Sequence, residues 1–402
     1  MPEQADSARG AAGTATAGPD EAPLVFALDR WDPGRGGLEG YAAALLRGLA
    51  ARGVPLVLVC GHATVEPPVP WIELGAVGPA FYAALDERVG FAADAQQLEA
   101  RRLVCFRHPG PRCRVFLPLG GLLASSLAAR RAVEPWGLRG ARRLARSLSP
   151  RTRAFLARER SFFAEASAEA LVVANSPVVA AEIARRHPGF RGRVEVVGLP
   201  VDDAHHVVAD AATRREARRA LLGLDDDRPV LLWVGNERRR KGWRVARAVH
   251  ARLRQRRLEA MLLCTGAGTE DLDDEAAGVI GLGRVADMRG PYRCADVLLV
   301  PSLEDNYPLV VLEALATGVP VVLSARCGNA ALLTDPAVGR VVADPRDVDG
   351  FDRHCLALLE RGMLDAGRMD ARRRAVEPCF LGAHLDRMQD LLETATCRRA
   401  TS

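Results

Sequence analysis

Two doubly wound α/β domains, joined near residue 200, are the fold class this sequence predicts. Short β-branched apolar runs alternate with stretches of helical periodicity along most of the chain. The turns between them are brief and rich in Gly and Pro, so neighbouring strands must run parallel. At 402 residues the chain is also too long for one core, and two domains are expected. The sequence divides into a flexible tail over 1–22, a first domain over 23–200, a second over 201–378 and a helical segment over 379–402. That last segment is expected to pack back on the first domain.

The first strand is Leu24 to Leu28, preceded by an Ala-, Gly- and Pro-rich tail with no apolar block of the kind a signal peptide needs. A turn, Gly34-Arg35-Gly36-Gly37, leads into a helix over Leu38 to Ala51 with Leu45, Leu46 and Leu49 on one face. Pro55 to Cys60 is the next strand. Phe81 to Leu98 has helical spacing. Leu103 to Phe106 and Arg114 to Leu117 are short strands, and 121–166 is helical, interrupted at Pro135-Trp136-Gly137 and Pro150. Ala170 to Ala174 is a strand, Pro177 to Arg186 a helix and Val194 to Val197 a strand. The linker Gly198 to Asp203 follows. His205 and His206 lie in this linker region and are expected to be solvated.

The second set opens with a helix over Arg214 to Leu224 and a strand over Val230 to Val234. A helix over Gly242 to Arg256 and a strand over Leu258 to Cys264 come next. Strands over Val279 to Leu282, Val297 to Val300 and Val319 to Leu323 alternate with helices over Met288 to Ala295 and Leu309 to Ala316. From 346 onward the pattern is helical. In such domains ligands sit at the carboxyl ends of strands, and here also in a cleft between the domains.

Composition narrows the function. Apolar residues make up 49% and charged residues 26%, as in an ordinary globular protein rather than a disordered or collagen-like chain. No run of about 18 apolar residues occurs, so no transmembrane helix is expected. Aromatic content of 5% is too low for a single-strand nucleic-acid platform, and the net charge of +5 does not call for nucleic acid. Nine cysteines with no C-x-x-C pair, several inside apolar runs, point to buried thiols in a reducing cytosol. Cys105, His108 and Cys113 form a partial metal-ligand set that lacks a fourth member, so no metal is expected. Of the 55 cationic residues, one is a lysine, Lys241.

Two segments can carry chemistry. In the first, Pro301 to Ala314, a strand ends near Val300, a loop carries Asp305, and a helix begins near Pro308 with Pro at its first position. The amides of Leu309 and Val310 then face an anion, framed by Asp305 and Glu313 eight positions apart. Taken alone, an N-capping Asp or Asn and an exposed helical glutamate are the simpler account of the same residues. In the second, Val234 to Gly242, a strand enters Gly235, then a cationic loop ending in Arg240-Lys241, then Gly242 and a helix. Fixed cations at a strand end suit a diphosphate, and a solvated basic turn is the alternative.

Taken in order, these pieces resemble glycosyltransferase family 4, the retaining sugar-nucleotide transferases of the GT-B fold. They are Arg35-Gly36-Gly37-Leu38-Glu39, Ala174-Asn175-Ser176, Val234-Gly235 to Lys241-Gly242, Gly283-Arg284-Val285, Tyr292 to Asp296, Pro301-Ser302 to Glu313-Ala314 and Gly318-Val319-Pro320. The loop at 235–242, with Ala325 to Gly328, is similar to the lipopolysaccharide-core glucosyltransferase branch. The resemblance implies that Glu313 binds the ribose hydroxyls of a nucleotide and that Asp305, where the family has Glu, contacts the donor sugar. Glu304 stands beside it as a substitute. Arg240 and Lys241 would hold the diphosphate, so that no metal or other cofactor is required. Gly36 and Gly37 would approach the phosphates, the backbone at Arg284 and Val285 would read the base, and Gly235, Asn236, Asn306, Tyr307, Leu309 and Val310 would line the donor. His108 is the candidate for a histidine near the reaction centre. Asn236 for the usual Arg and Pro308 for the usual Gly depart from the pattern.

The implied activity is transfer of a sugar from a nucleotide diphosphate sugar to a glycolipid or polysaccharide precursor in cell-envelope biosynthesis. Rival readings are an epimerase or polymer synthase of the same fold, and a degenerate nucleotide-sugar-binding protein. Arg130 to Arg160 holds ten arginines with Leu138, Leu144, Leu148, Phe155 and Leu156 interleaved. Such a basic amphipathic segment fits a peripheral contact with anionic lipid at the cytoplasmic face of the inner membrane, or an ordinary solvated helix.

Overall fold

The computed structural model describes residues 22–34, 37–90, 98–133, 149–256, 258–360 and 366–396. The chain divides into two compact units, Met1–Val197 with Leu385–Ser402, and Gly198–His384.

The strands of the first unit are β1 (Leu24–Leu28), β2 (Leu56–Cys60), β3 (Trp71–Glu73), β4 (Val89–Gly90), β5 (Leu98–Glu99), β6 (Leu103–Cys105), β7 (Val115–Phe116), β8 (Leu171–Ala174) and β9 (Arg193–Val196). Its main sheet has the order β3-β2-β1-β6-β7-β8-β9, parallel throughout, and β4 and β5 pair separately. The central strand β1 is buried along its whole length, as its unbroken apolar run requires, with Phe26 beside Leu58 and Val104. Helix Gly37–Ala51 buries Leu45, Leu46 and Leu49 as its spacing predicts. Ser149 and Ser176 cap helices Pro150–Glu165 and Pro177–Arg186 through the amides of Thr152 and Val179, with proline at each first position.

Several expectations for this unit change. The helix predicted over Phe81 to Leu98 is Pro79–Arg88, because Val89 turns extended and pairs as β4. Strand β3 gives no sequence signal, being three residues beside a Pro-rich stretch. Part of the arginine-rich segment, 134–148, lies outside the described residues. In its described part Phe155 is buried in the core of the unit, as are Phe162 and Phe163 just beyond it on the same helix. Glu159, also buried, accepts hydrogen bonds from the amides of Leu123 (2.8 Å) and Ala124 (3.5 Å), and so caps helix Leu123–Val133 from a neighbouring helix. Arg158 pairs with Asp86 through both guanidinium nitrogens. The apolar face of helix Pro150–Glu165 is therefore already used for packing.

The second unit contains β10 (Val230–Val234), β11 (Met261–Thr265), β12 (Val279–Gly281), β13 (Val297–Val300), β14 (Val321–Ser324) and β15 (Gly339–Val342). The order is β12-β11-β10-β13-β14-β15, again parallel, with β15 an edge strand that the sequence reading does not contain. Asp296, just before β13, anchors the N-terminal end of this sheet. It accepts from Arg214 (3.1 Å), Arg218 (2.5 Å) and the amide of Val230 (2.8 Å), all buried.

The last helix, Leu381–Thr396, joins the first unit from Leu385 onward. There Asp386 pairs with Arg52 at 2.7 Å, and the Arg114 guanidinium caps the carbonyl of Ala395. Leu385 fills the space left by Gly48, where a Cβ would collide with it. Among the described residues no helix is long and apolar enough to cross a membrane.

Candidate active site

In the second unit the sheet order reverses between β10 and β13. The loops leaving the carboxyl ends of these two adjacent strands therefore diverge, which opens a crevice where open α/β sheets bind ligands. Those loops are Gly235–Gly242 and Pro301–Pro308, the two segments singled out from the sequence. The Leu303 amide donates to the Arg240 carbonyl at 2.8 Å and ties one loop to the other.

The first loop is built around Lys241. Its carbonyl accepts from the indole Nε1 of buried Trp233 at 2.9 Å. Its amide bonds the Glu237 carbonyl at 2.9 Å. Gly242 then closes the turn at φ 72°, and a Cβ there would strike the Pro301 carbonyl, so only glycine fits. At Gly235 a Cβ would come within 2.8 Å of the Lys241 Cβ and Cγ, so the lysine stem lies directly over the glycine. The backbone and the start of the side chain are thus fixed, and the ammonium meets Asp305 in an ion pair.

Asp305 is equally constrained. Its amide donates to the Arg326 carbonyl at 3.2 Å and its carbonyl accepts from Gly328 at 2.8 Å, so both sides of the residue are held by the loop after β14. Its side chain is 13% exposed and that of Lys241 17%. Arg240 lies 3.9 Å from the same carboxylate oxygen, but its closer partners are Glu237 at 3.0 Å and the Glu304 carbonyl at 3.1 Å.

Helix Leu309–Ala316 has the bounds expected, but Pro308 occupies its N-cap rather than its first helical position. Proline offers the helix amides no side-chain acceptor, and the Asn329 side-chain amide donates to the Pro308 carbonyl at 3.0 Å, which positions the cap residue. Helix Leu309–Ala316 carries Glu313, whose Oε2 accepts the Tyr292 hydroxyl at 2.6 Å. Burial raises the Glu313 pKa above the ordinary carboxylate range, while the Tyr292 bond and the nearby His205 act to lower it. His205 is exposed, 3.6 Å from Asp287. His206 is not solvated, contrary to the sequence expectation. It is buried with its ring edge-on to Tyr292, and burial lowers its pKa to about 4.

The other candidate residues separate by role. Asn236 is exposed, and its side-chain oxygen accepts from the Ala267 amide at 2.7 Å, pinning the loop after β11. The Tyr307 hydroxyl points toward Cys379 at 3.7 Å and packs on Gly198. Arg284 is exposed and Val285 half-buried, just beyond β12. Gly37 begins its helix in the first unit, and Gly36 lies outside the described residues. His108, also in the first unit, adopts φ 47°, its ring stacked on Phe155 at 3.7 Å. Burial and the surrounding arginines lower its pKa to about 3, so the ring is neutral. Cys105 and Cys113 are free, buried thiols, and among the described residues no cluster of three or more metal-ligating side chains occurs. Sequence reasoning missed Trp233, Glu237 and the Tyr292 hydroxyl. Tyr292 stood inside a quoted motif, but only contacts reveal its partner.

Residues 228–361 match the family model described as glycosyl transferases group 1. This stretch is a glycosyl transferases group 1 domain. A D-inositol 3-phosphate glycosyltransferase of Arthrobacter sp. (strain FB24) is 29% identical over 195 residues, 45% of this chain and 45% of that protein. The chain spans about half the length of the curated relatives it matches. Among solved structures, WaaG, a glycosyltransferase involved in lipopolysaccharide biosynthesis, aligns with a TM-score of 0.66 at 20% identity, over 92% of this chain and 99% of that one. Anabaena HepE in complex with UDP and glucose aligns with a TM-score of 0.59 at 14% identity, over 93% and 100%. The fold is GT-B, built from two Rossmann-like units. The group 1 domain contains both loops of the crevice, Glu313 and Tyr292.

Proposed function

We propose that this chain is a retaining glycosyltransferase that moves a sugar from a nucleoside diphosphate sugar to a hydroxyl of a glycan or glycolipid precursor. The observation that carries the reading is the Lys241–Asp305 pair at the reversal point of the second sheet, inside the group 1 domain. A cation at a crevice floor suits a diphosphate, and an acid beside it suits the hydroxyls of the attached sugar. Binding of UDP by a neighbour of the same fold supports the nucleotide as the donor's handle.

In this reading Glu313, oriented by Tyr292, accepts hydrogen bonds from the ribose hydroxyls. Asp305 holds the donor sugar. As the glycosidic bond breaks, negative charge develops on the departing diphosphate. Lys241, Arg240 and the amides of Leu309 and Val310 meet that charge in place, with little reorganisation. Fixed cations of this kind fill the part a divalent ion plays in other diphosphate sites.

A thermal-shift panel of nucleoside diphosphates and their sugars tests the proposal, since a ligand that binds the folded state raises its apparent stability. One base should stand out, and its diphosphate sugar should be hydrolysed slowly without acceptor. Binding without any turnover would support a degenerate nucleotide-sugar-binding protein instead. No shift with any nucleotide would overturn the reading.

A further inference from the structure

The two cations that end the first crevice loop do not stand free. Lys241 is already paired with Asp305, and Arg240 with Glu237. An arriving or departing diphosphate therefore meets at Lys241 an ammonium that already has a counter-ion. It must also share Lys241 with a carboxylate whose backbone is held in place, through the Asp305 amide and carbonyl. The ammonium is equally tethered, its stem over Gly235 and its carbonyl on Trp233.

We infer that Asp305 is a product-release residue: its carboxylate competes with the nucleoside diphosphate product for Lys241 and keeps that product weakly bound. The inference rests on the proposed nucleotide site and adds a regulation of it. With the intact donor, the sugar covers Asp305 and satisfies the carboxylate through its hydroxyls. Once the sugar has left, nothing screens that carboxylate from the diphosphate. The same acid thus favours the substrate and disfavours the product. Such a difference is useful because product departure often limits turnover, and tight binding of the leaving nucleotide would only slow the enzyme. It also revises the simplest division of labour, in which Asp305 would matter to the sugar and not to the nucleotide.

Titration calorimetry on the full chain with two probes, UDP and inorganic pyrophosphate, tests this. Pyrophosphate reports on the Lys241 region whatever the base preference. Asp305→Asn should bind pyrophosphate about tenfold more tightly than the parent, as expected when a competing charge is replaced by a neutral isostere. Asp305→Glu restores the charge and should bring the affinity back to the parent value, which a merely structural role for the carboxylate would not produce. The double variant Asp305→Asn with Lys241→Ala should lose the gain. Equal or weaker binding by Asp305→Asn overturns the inference while leaving the nucleotide site standing. Failure of parent and Asp305→Asn alike to bind either probe overturns the nucleotide reading and this inference with it.

Discussion

Trp233 determines where Lys241 stands. The indole of this buried strand residue donates to the lysine carbonyl at 2.9 Å, and the lysine stem lies over the glycine two positions after the tryptophan. A residue of the sheet core thereby fixes a cation in the crevice.

That constraint sharpens the meaning of the sole lysine. Arginine is written at every other cationic position, yet here the stem is confined and the tip faces Asp305. A planar guanidinium does not reproduce a compact ammonium at the end of a fixed stem. Lys241→Arg should fold with an unchanged melting temperature and lose at least about tenfold in donor turnover, on the order of 1.4 kcal/mol. Full turnover in the variant would make the lysine a coincidence of coding bias.

Glu313 and Tyr292 should act together on the nucleotide. Glu313→Gln replaces a charged acceptor by a neutral one, and Tyr292→Phe removes the bond that orients it, so both should weaken nucleoside diphosphate binding. Because the effect runs through ribose, 2′-deoxynucleotides should be far less sensitive to either change. Equal losses for ribo- and deoxynucleotides would sink this assignment.

Affinity should also depend on pH in a defined direction. Burial raises the Glu313 pKa above its ordinary 4.5, and the ionised form is the better ribose acceptor. Nucleotide binding should therefore weaken with falling pH while the solution is still above 4.5, and Glu313→Gln should flatten that limb. A flat profile in the parent protein would show that the carboxylate does not take part.

Asp296 should be a stability determinant with no part in the chemistry. Asp296→Ala leaves the buried Arg214 and Arg218 without their shared counter-ion and the Val230 amide without its acceptor. Loss of one member of such a buried set costs roughly 3–5 kcal/mol. Urea denaturation of the full chain checks this, and a change below about 1 kcal/mol would contradict it.

Mild acid should destabilise the second unit. Burial holds His206, His250 and His384 at pKa values of about 4, below the ordinary 6.5. The unfolded chain therefore takes up protons that the folded one refuses. The stabilisation is complete above pH 6.5 and is lost as pH falls toward 4, each histidine adding a slope of up to about 1.4 kcal/mol per pH unit. Melting temperatures across that range should fall toward acid, and less steeply in His206→Gln.

Much of this fold is local in origin. The apolar runs at Leu24, Val230 and Val297 and the Ser-Pro helix start at Ser176 are read from a few neighbouring residues, because buried parallel strands and helix caps have their own residue signatures. Pro150, expected to interrupt a helix, instead starts one that Ser149 caps. Strands β3 and β15 escaped because each is only three or four residues long and lacks a continuous apolar run, so pairing with a neighbour, rather than composition, makes the strand. The helix expected through Leu98 ended at Arg88 for the same reason, with Val89 drawn into β4.

The candidate site divides along the same line. Residue order alone determined that two loops follow two strands, that one is cationic with a single lysine and the other carries an acid, and that Glu313 lies inside a helix. Only the tertiary structure decided that Lys241 and Asp305 neutralise each other, that Tyr292 holds Glu313, that His206 is buried and that Pro308 is a cap. Those are contacts between residues 8 to 86 positions apart or between packed elements. Their energies depend on burial and distance, and neither is written in the identity of a residue.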